Sequence, residues 1–268
     1  MRLERAVWVL TYHSISQGPR PLCIARDRFA AQLDGLLDAG WQPVPVGEIF
    51  SRAAPDRPAR PRFAVSFDDG YRDFAHTAFP VLEQRGIPAT LFVPAAVERT
   101  QLPGGLEGRA LLDPSELRDL AARGVEIGAH GIDHQDLTRL DDGALARELR
   151  VGRERLCEWI GRPVRYLAYP FGAFDARVLA TAGSAYAGAF TTQLGAVPPV
   201  PHPHAVPRID AYYLDDPRLV RAARRGNAAR YLMARRWLRR LRGSEPRRPI
   251  PTAPAAHRRA VGRAPAWR

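Results

Sequence analysis

The chain has 268 residues, enough for one large α/β domain or two small ones, and 46 % of them are hydrophobic, ample for a buried core. Its two cysteines, Cys23 and Cys157, lie far apart and form no C-x-x-C pair, which argues against a disulfide framework or a zinc–thiolate site. The net charge of +12 is uneven: residues 218–268 hold 16 Arg against the single acid Glu245, while the remainder holds 24 Arg against 27 acidic residues.

The N-terminus opens on an apolar, β-prone run, Ala6 to Tyr12, too short for a signal-peptide core. No later stretch approaches a membrane span, so the expected location is the cytoplasm. Phe29, Leu33, Leu36 and Leu37 have helical spacing that stops at Gly40. Phe63 to Phe67 reads as a second strand, closed by Asp68-Asp69-Gly70. A helix follows from about Asp73 to Arg85, then a strand from Ala89 to Val93. Residues 95–111 are Gly-rich and read as a long loop. Asp113, Pro114 and Glu116 form a helix start with a capping box. That helix ends at Gly124, and Val125 to Ala129 is the next strand. Asp141 or Asp142 caps a longer helix running to about Ile160. Tyr166 to Ala168, Ala187 to Phe190 and Val206 to Ile209 read as three further short strands. Strands alternating with helices imply parallel β-α units, and about seven of them suggest a distorted or incomplete (β/α) barrel. In such barrels chemistry collects where strands end and loops begin.

Two such ends stand out. Asp68 and Asp69 are adjacent carboxylates, and neighbouring side chains on an extended segment point in different directions. One can therefore hold a metal while the other faces a water on it; a plain Asp-Gly turn is the alternative. His130-Gly131-Ile132-Asp133-His134 offers two imidazoles four residues apart, which converge on one cation if the backbone turns helically. Two histidines and a carboxylate leave a coordination position open, as catalytic sites require.

These motifs resemble those of the polysaccharide deacetylase family (carbohydrate esterase family 4). Ser66-Phe67-Asp68-Asp69-Gly70, the His130-x3-His134 spacing and Tyr169-Pro170-Phe171-Gly172 follow one another in the family's order. Leu10-Thr11-Tyr12-His13 and Gly40-Trp41 are similar to members as well, and the likeness spans residues 6 to about 210. The third motif usually begins with Arg, where Ala168 stands here; this version resembles the branch acting on poly-N-acetylglucosamine. The fifth motif, Leu-x-His, has no clean copy. His202 and His204 lie in a Pro-rich loop, and Arg208 sits about where that motif is expected.

The resemblance implies a hydrolase that removes N-acetyl groups from N-acetylhexosamine units of a glycan. It implies a divalent metal, zinc by expectation, on Asp69, His130 and His134, with Asp68 as the base. The oxyanion would meet the backbone N–H of Phe171, with Tyr169, Pro170 and Arg208 grouped beside it as substrate-facing residues. His13, at the end of the first strand, is the first candidate for the general acid, with a structural role as its alternative.

Residues 1–216 are thus expected to form the catalytic domain, 217–242 a basic amphipathic helical segment and 243–268 an Arg/Pro/Ala-rich disordered tail. The basic segment suits peripheral contact with an anionic membrane, or packing on the barrel. No nucleic acid partner is expected, since no binding motif accompanies the charge. Two rival readings remain: a deacylase of a lipid-linked sugar at the cytoplasmic membrane face, and a non-catalytic glycan-binding member of the fold.

Overall fold

The computed structural model describes residues 7–50, 60–96, 102, 104–215 and 228–241. The expected tail, 243–268, and the first part of the basic segment lie outside these residues.

Eight strands occur in chain order: β1 (Val7–Tyr12), β2 (Gln42–Pro43), β3 (Arg62–Phe67), β4 (Ala89–Val93), β5 (Glu126–Ala129), β6 (Tyr166–Ala168), β7 (Gly188–Leu194) and β8 (Val206–Asp210). Helices alternate with them: α1 (Arg26–Asp38), α2 (Phe79–Gln84), α3 (Pro114–Ala122), α4 (Asp142–Ala146), α5 (Gly152–Ile160) and α6 (Ala176–Ala185). A last helix, α7 (Ala228–Leu241), follows the barrel. All pairings between strands are parallel, and β1 bonds to both β8 and β3. Seven strands therefore close a complete barrel. The two-residue β2 attaches to the first half of β3, on the side where β4 pairs with the second half; it is too short to carry a sequence period.

The strands are buried on both faces, one toward the lumen and one toward the helices, so their side chains sort by alternation. Val9, Ala64, Phe92, Tyr166, Ala168, Phe190 and Val206 fill the lumen. Leu10, Val65, Leu91, Ile127 and Leu167 point outward onto helix residues such as Phe29, Leu33, Leu117, Leu149 and Val178. Local chemistry agrees with this arrangement. Asp113 accepts from the amides of Ser115 and Glu116, and Glu116 accepts in return from the Asp113 amide. Helix α2 is entered through a π turn, Phe74–Ala78, and a second π turn, Arg147–Val151, joins α4 to α5.

Register then sets the rim. Tyr12 faces Phe67 across β1 and β3, and the Asp68 amide donates to the Tyr12 carbonyl, so His13 and Asp68 leave neighbouring strands together. Val93 faces Ala129 in the same way, and His130 follows directly.

Candidate metal centre

At the end of β3 the chain turns sharply, with Asp69 at φ 75°. At the end of β5, His134 sits at φ 51°, and beyond β6 Phe171 sits at φ 58°. Among the described residues these three are the non-glycine positions in the left-handed region, and all three meet at one rim. Such conformations cost on the order of 1–3 kcal/mol each and persist only where surrounding structure holds them.

The turns bring Asp69 Oδ1 to 3.5 Å from His130 Nε2 and 3.4 Å from His134 Nε2, with all three side chains buried. A tetrahedral ion with bonds of about 2.0–2.2 Å holds neighbouring ligand atoms roughly 3.3–3.5 Å apart, so the spacing fits one. The tautomers fit as well. His130 Nδ1 lies 2.7 Å from the carbonyl oxygen of Ala168. A carbonyl can only accept, so the proton sits on Nδ1 and the Nε2 lone pair faces the group. Burial pushes the Asp69 carboxyl up, but the neighbouring imidazoles of His130, His13 and His134 outweigh it. Asp69 is held well below the usual carboxylate range, ionised as a ligand must be. Burial disfavours the charged form of His130, yet Asp69 and Asp68 outweigh that and hold it above its ordinary value.

Asp68 stands beside this group with a different partner. Arg208, on β8, grips both its oxygens, NH1 to Oδ1 and NH2 to Oδ2, at 2.7 Å each. Both side chains are buried, and Arg208 is fixed further by its Nε donating to the Thr191 carbonyl, 3.0 Å away, and by Ser66 Oγ at 3.3 Å. Burial pushes Asp68 up, and Arg208, followed by His130 and His13, more than offsets it, leaving the carboxyl below its usual range. The contacts of Arg208 thus lie within the barrel, on Asp68 and its supports. Ala168, where the resemblance leads one to expect Arg, contributes its backbone carbonyl to His130. The bidentate guanidinium on Asp68 comes from β8.

The other expected residues divide. Phe171 is 49 % exposed, and its ring centroid lies 4.7 Å from that of His134. Its carbonyl accepts from Thr192 Oγ1 at 3.3 Å. Pro170 is buried beneath this turn. Tyr169 turns away: its hydroxyl donates to the His204 carbonyl, and its ring stacks on Phe174. His204 lies before β8, with Nε2 2.9 Å from the Tyr186 carbonyl, and His202 is beside it. Neither joins the Asp69–His130–His134 group. Tyr71 was not singled out from the sequence. Its buried hydroxyl accepts from the Leu106 amide at 2.7 Å, and burial together with the Asp69 charge raises its pKa. It follows Asp-Asp-Gly, where the strand period has ended, so no pattern pointed to it.

Residues 56–187 match the family described as polysaccharide deacetylase. That span takes in Asp68, Asp69, His130, His134 and the Tyr169–Gly172 turn, and leaves out His13 and Arg208. The chain is 27 % identical over 190 residues to YxkH of Bacillus subtilis (strain 168), covering 70 % of this chain and 65 % of YxkH. It is 27 % identical over 161 residues to a chitin deacetylase of Pestalotiopsis sp, covering 58 % of this chain and 49 % of that protein. The chain therefore spans less than two thirds of either relative. Among solved structures, IcaB from Ammonifex degensii superposes with a TM-score of 0.70 at 25 % identity, covering 82 % of this chain and 97 % of that one. With a closed barrel, a group of possible metal ligands at its rim and these matches, residues 56–187 carry the features of a polysaccharide deacetylase domain.

Proposed function

We propose that this chain hydrolyses the N-acetyl amide of N-acetylhexosamine units in a glycan. The observation that carries the reading is the adjacency of two differently held carboxylates: Asp69 in a group with His130 and His134, and Asp68 clamped by Arg208. Asp69, His130 and His134 would hold a divalent cation, zinc by the donor chemistry, which would supply Lewis-acid polarisation and activation of water. Asp68, ionised and fixed by Arg208, accepts the proton of the attacking water. The Phe171 amide, at the half-exposed turn beside His134, donates to the developing oxyanion. His13, next to Asp68 across the strand ends, delivers a proton to the leaving amine, which departs poorly without one.

Metal analysis of purified protein, with acetate release from chitin oligomers, poly-N-acetylglucosamine and lipid-linked sugars, tests this reading. Chelator-sensitive release from at least one substrate is expected. Release only from the lipid-linked sugar would favour the lipid-linked deacylase. Glycan binding without release from any substrate would leave the non-catalytic reading.

We propose also that α7 rests on an anionic membrane surface at the cytoplasmic side. The helix carries five Arg and no acid. Leu232 is buried against the barrel and Arg235 lies over the Tyr213 ring, while Met233 and Trp237, one turn apart, are 63 % and 61 % exposed. Arg236 NH2 reaches Gln193 Oε1 at 3.4 Å, one residue beyond the Thr192 that supports Phe171. Arg236 thus anchors the helix beside the end of β7, near the rim that carries the metal centre, which suits a substrate held at a surface.

A further inference from the structure

The His130–His134 turn has little regular structure of its own, and a carboxylate that no motif includes holds it. Glu148 is buried, on the π turn between α4 and α5. Its Oε2 accepts from the amide of Ile132 at 2.6 Å and from that of Asp133 at 3.1 Å. These are the two peptide N–H groups between Gly131 and His134. One side-chain oxygen accepting both amides ties the turn to the helix at a single point.

The surroundings are shaped for this contact. Gly131 has φ 77°, and a Cβ there would lie 2.8 Å from Glu148 Oε2. Gly152, four residues beyond Glu148, faces the same turn, and a Cβ there would lie 2.9 Å from Ile132 Cγ1. Two missing side chains thus let the helix and the turn approach closely enough for one carboxylate oxygen to reach both amides. The π turn adds a residue at this point of the helix, a feature that recurs at functional sites. The second oxygen, Oε1, is buried without a hydrogen-bond partner among the described residues.

We infer that Glu148 is a positioning residue for the metal centre, fixing His134 in its left-handed conformation and hence the distance between the two imidazoles. It touches neither the ligand atoms nor the acyl group. The inference rests on the metal-ligand reading of Asp69, His130 and His134, and its test separates the two.

Zinc affinity, measured by chelator competition on the full chain, is compared among wild type, Glu148→Gln, Glu148→Asp and Glu148→Ala, with apo-protein melting temperatures alongside. Gln keeps the reach and loses the charge; Asp keeps the charge and falls short by one methylene. If reach positions the turn, Glu148→Ala and Glu148→Asp lose about 10- to 100-fold in zinc affinity, the range of outer-shell partners, and Glu148→Gln stays within about threefold of wild type. A core control, Leu149→Ala, is expected to lower the melting temperature while leaving zinc affinity unchanged. Should Glu148→Ala fail to fold, the Gln and Asp variants still rank against each other. The inference is overturned if Asp binds zinc as well as Gln, or if Leu149→Ala loses as much affinity as Glu148→Asp. A wild-type chain that binds no zinc, nickel or cobalt would instead bring down the metal-centre reading itself.

Discussion

Arg208 and Asp68 meet as two parallel hydrogen bonds of 2.7 Å inside the barrel, a residue of the last strand holding a carboxylate of the third. The pair is worth little if both members are replaced together, since two buried charges cost nearly as much to desolvate as their attraction returns. Removal of one partner alone is severe.

Arg208→Met should accordingly destabilise the protein by about 3–5 kcal/mol. It should also reverse the pH dependence at this site. In the wild type Asp68 is depressed, so its contribution to stability is present above the unfolded carboxyl pKa of about 4 and is lost as pH falls through the folded value. In the variant burial is opposed only by His130 and His13, and the carboxyl rises. The acid limb of the kcat/KM profile should then move to higher pH. Denaturant melts and pH–rate profiles of both proteins measure this; an unmoved acid limb would mean that Asp68 is not the base.

Asp68→Asn should retain metal and lose roughly two to four orders of magnitude in turnover. Asp69→Ala, His130→Ala and His134→Ala should each lose both metal and activity. Metal content by elemental analysis beside acetate release distinguishes the classes. Loss of metal in Asp68→Asn would make that residue a ligand.

Gly172→Ala tests the turn that presents Phe171. Gly172 has φ 66°, and a Cβ there would lie 2.1 Å from Thr192 Oγ1 and 2.6 Å from the Thr192 amide nitrogen. The backbone conformation alone costs an alanine about 1–3 kcal/mol, and the clash with backbone cannot be relieved by a side-chain rotation. A lower melting temperature is expected, with activity falling further than stability because the Phe171 amide shifts. Wild-type activity in a folded Gly172→Ala protein would dismiss that amide as an oxyanion donor.

Co-sedimentation with anionic and neutral vesicles tests α7. Binding to anionic vesicles alone is expected, weakened by salt because screening lengths fall to about 8 Å at physiological ionic strength. Met233→Glu with Trp237→Glu should abolish it without lowering the melting temperature. Leu232→Ala should lower the melting temperature, since a buried leucine costs about 2–5 kcal/mol on truncation. Deletion of residues 243–268 should leave hydrolysis of a soluble substrate unchanged. Intact protein that ignores anionic vesicles at low salt would end the membrane proposal.

Much of the barrel was legible because its strands are short apolar runs between turn residues: Ala89–Val93 and Tyr166–Ala168 have the boundaries their composition suggests. β7 extends to Leu194 because Thr191 and Gln193 are buried in the barrel wall, which residue type alone does not reveal. Closure was not legible either, because it depends on β1 pairing with β3 and β8, a long-range register outside any local period. The same limit explains the site. Asp69, His130 and His134 are metal-binding residue types at strand ends and declared themselves. Arg208 reaches Asp68 across 140 residues, and Glu148 reaches Ile132 from a helix face that reads as ordinary amphipathic surface.

The filled lumen has a consequence for traffic. Beneath Asp68 the Arg208 guanidinium lies over Phe92, and below it Tyr166, Phe190 and Val206 close the barrel with apolar bulk. Nothing passes through from the opposite end, so the rim is a single doorway. On the proposed function, a glycan, the attacking water, the freed acetate and the new amine would all share it. A long glycan lying across that doorway would delay acetate escape, so turnover on polymers should become limited by departure where short oligomers remain limited by chemistry.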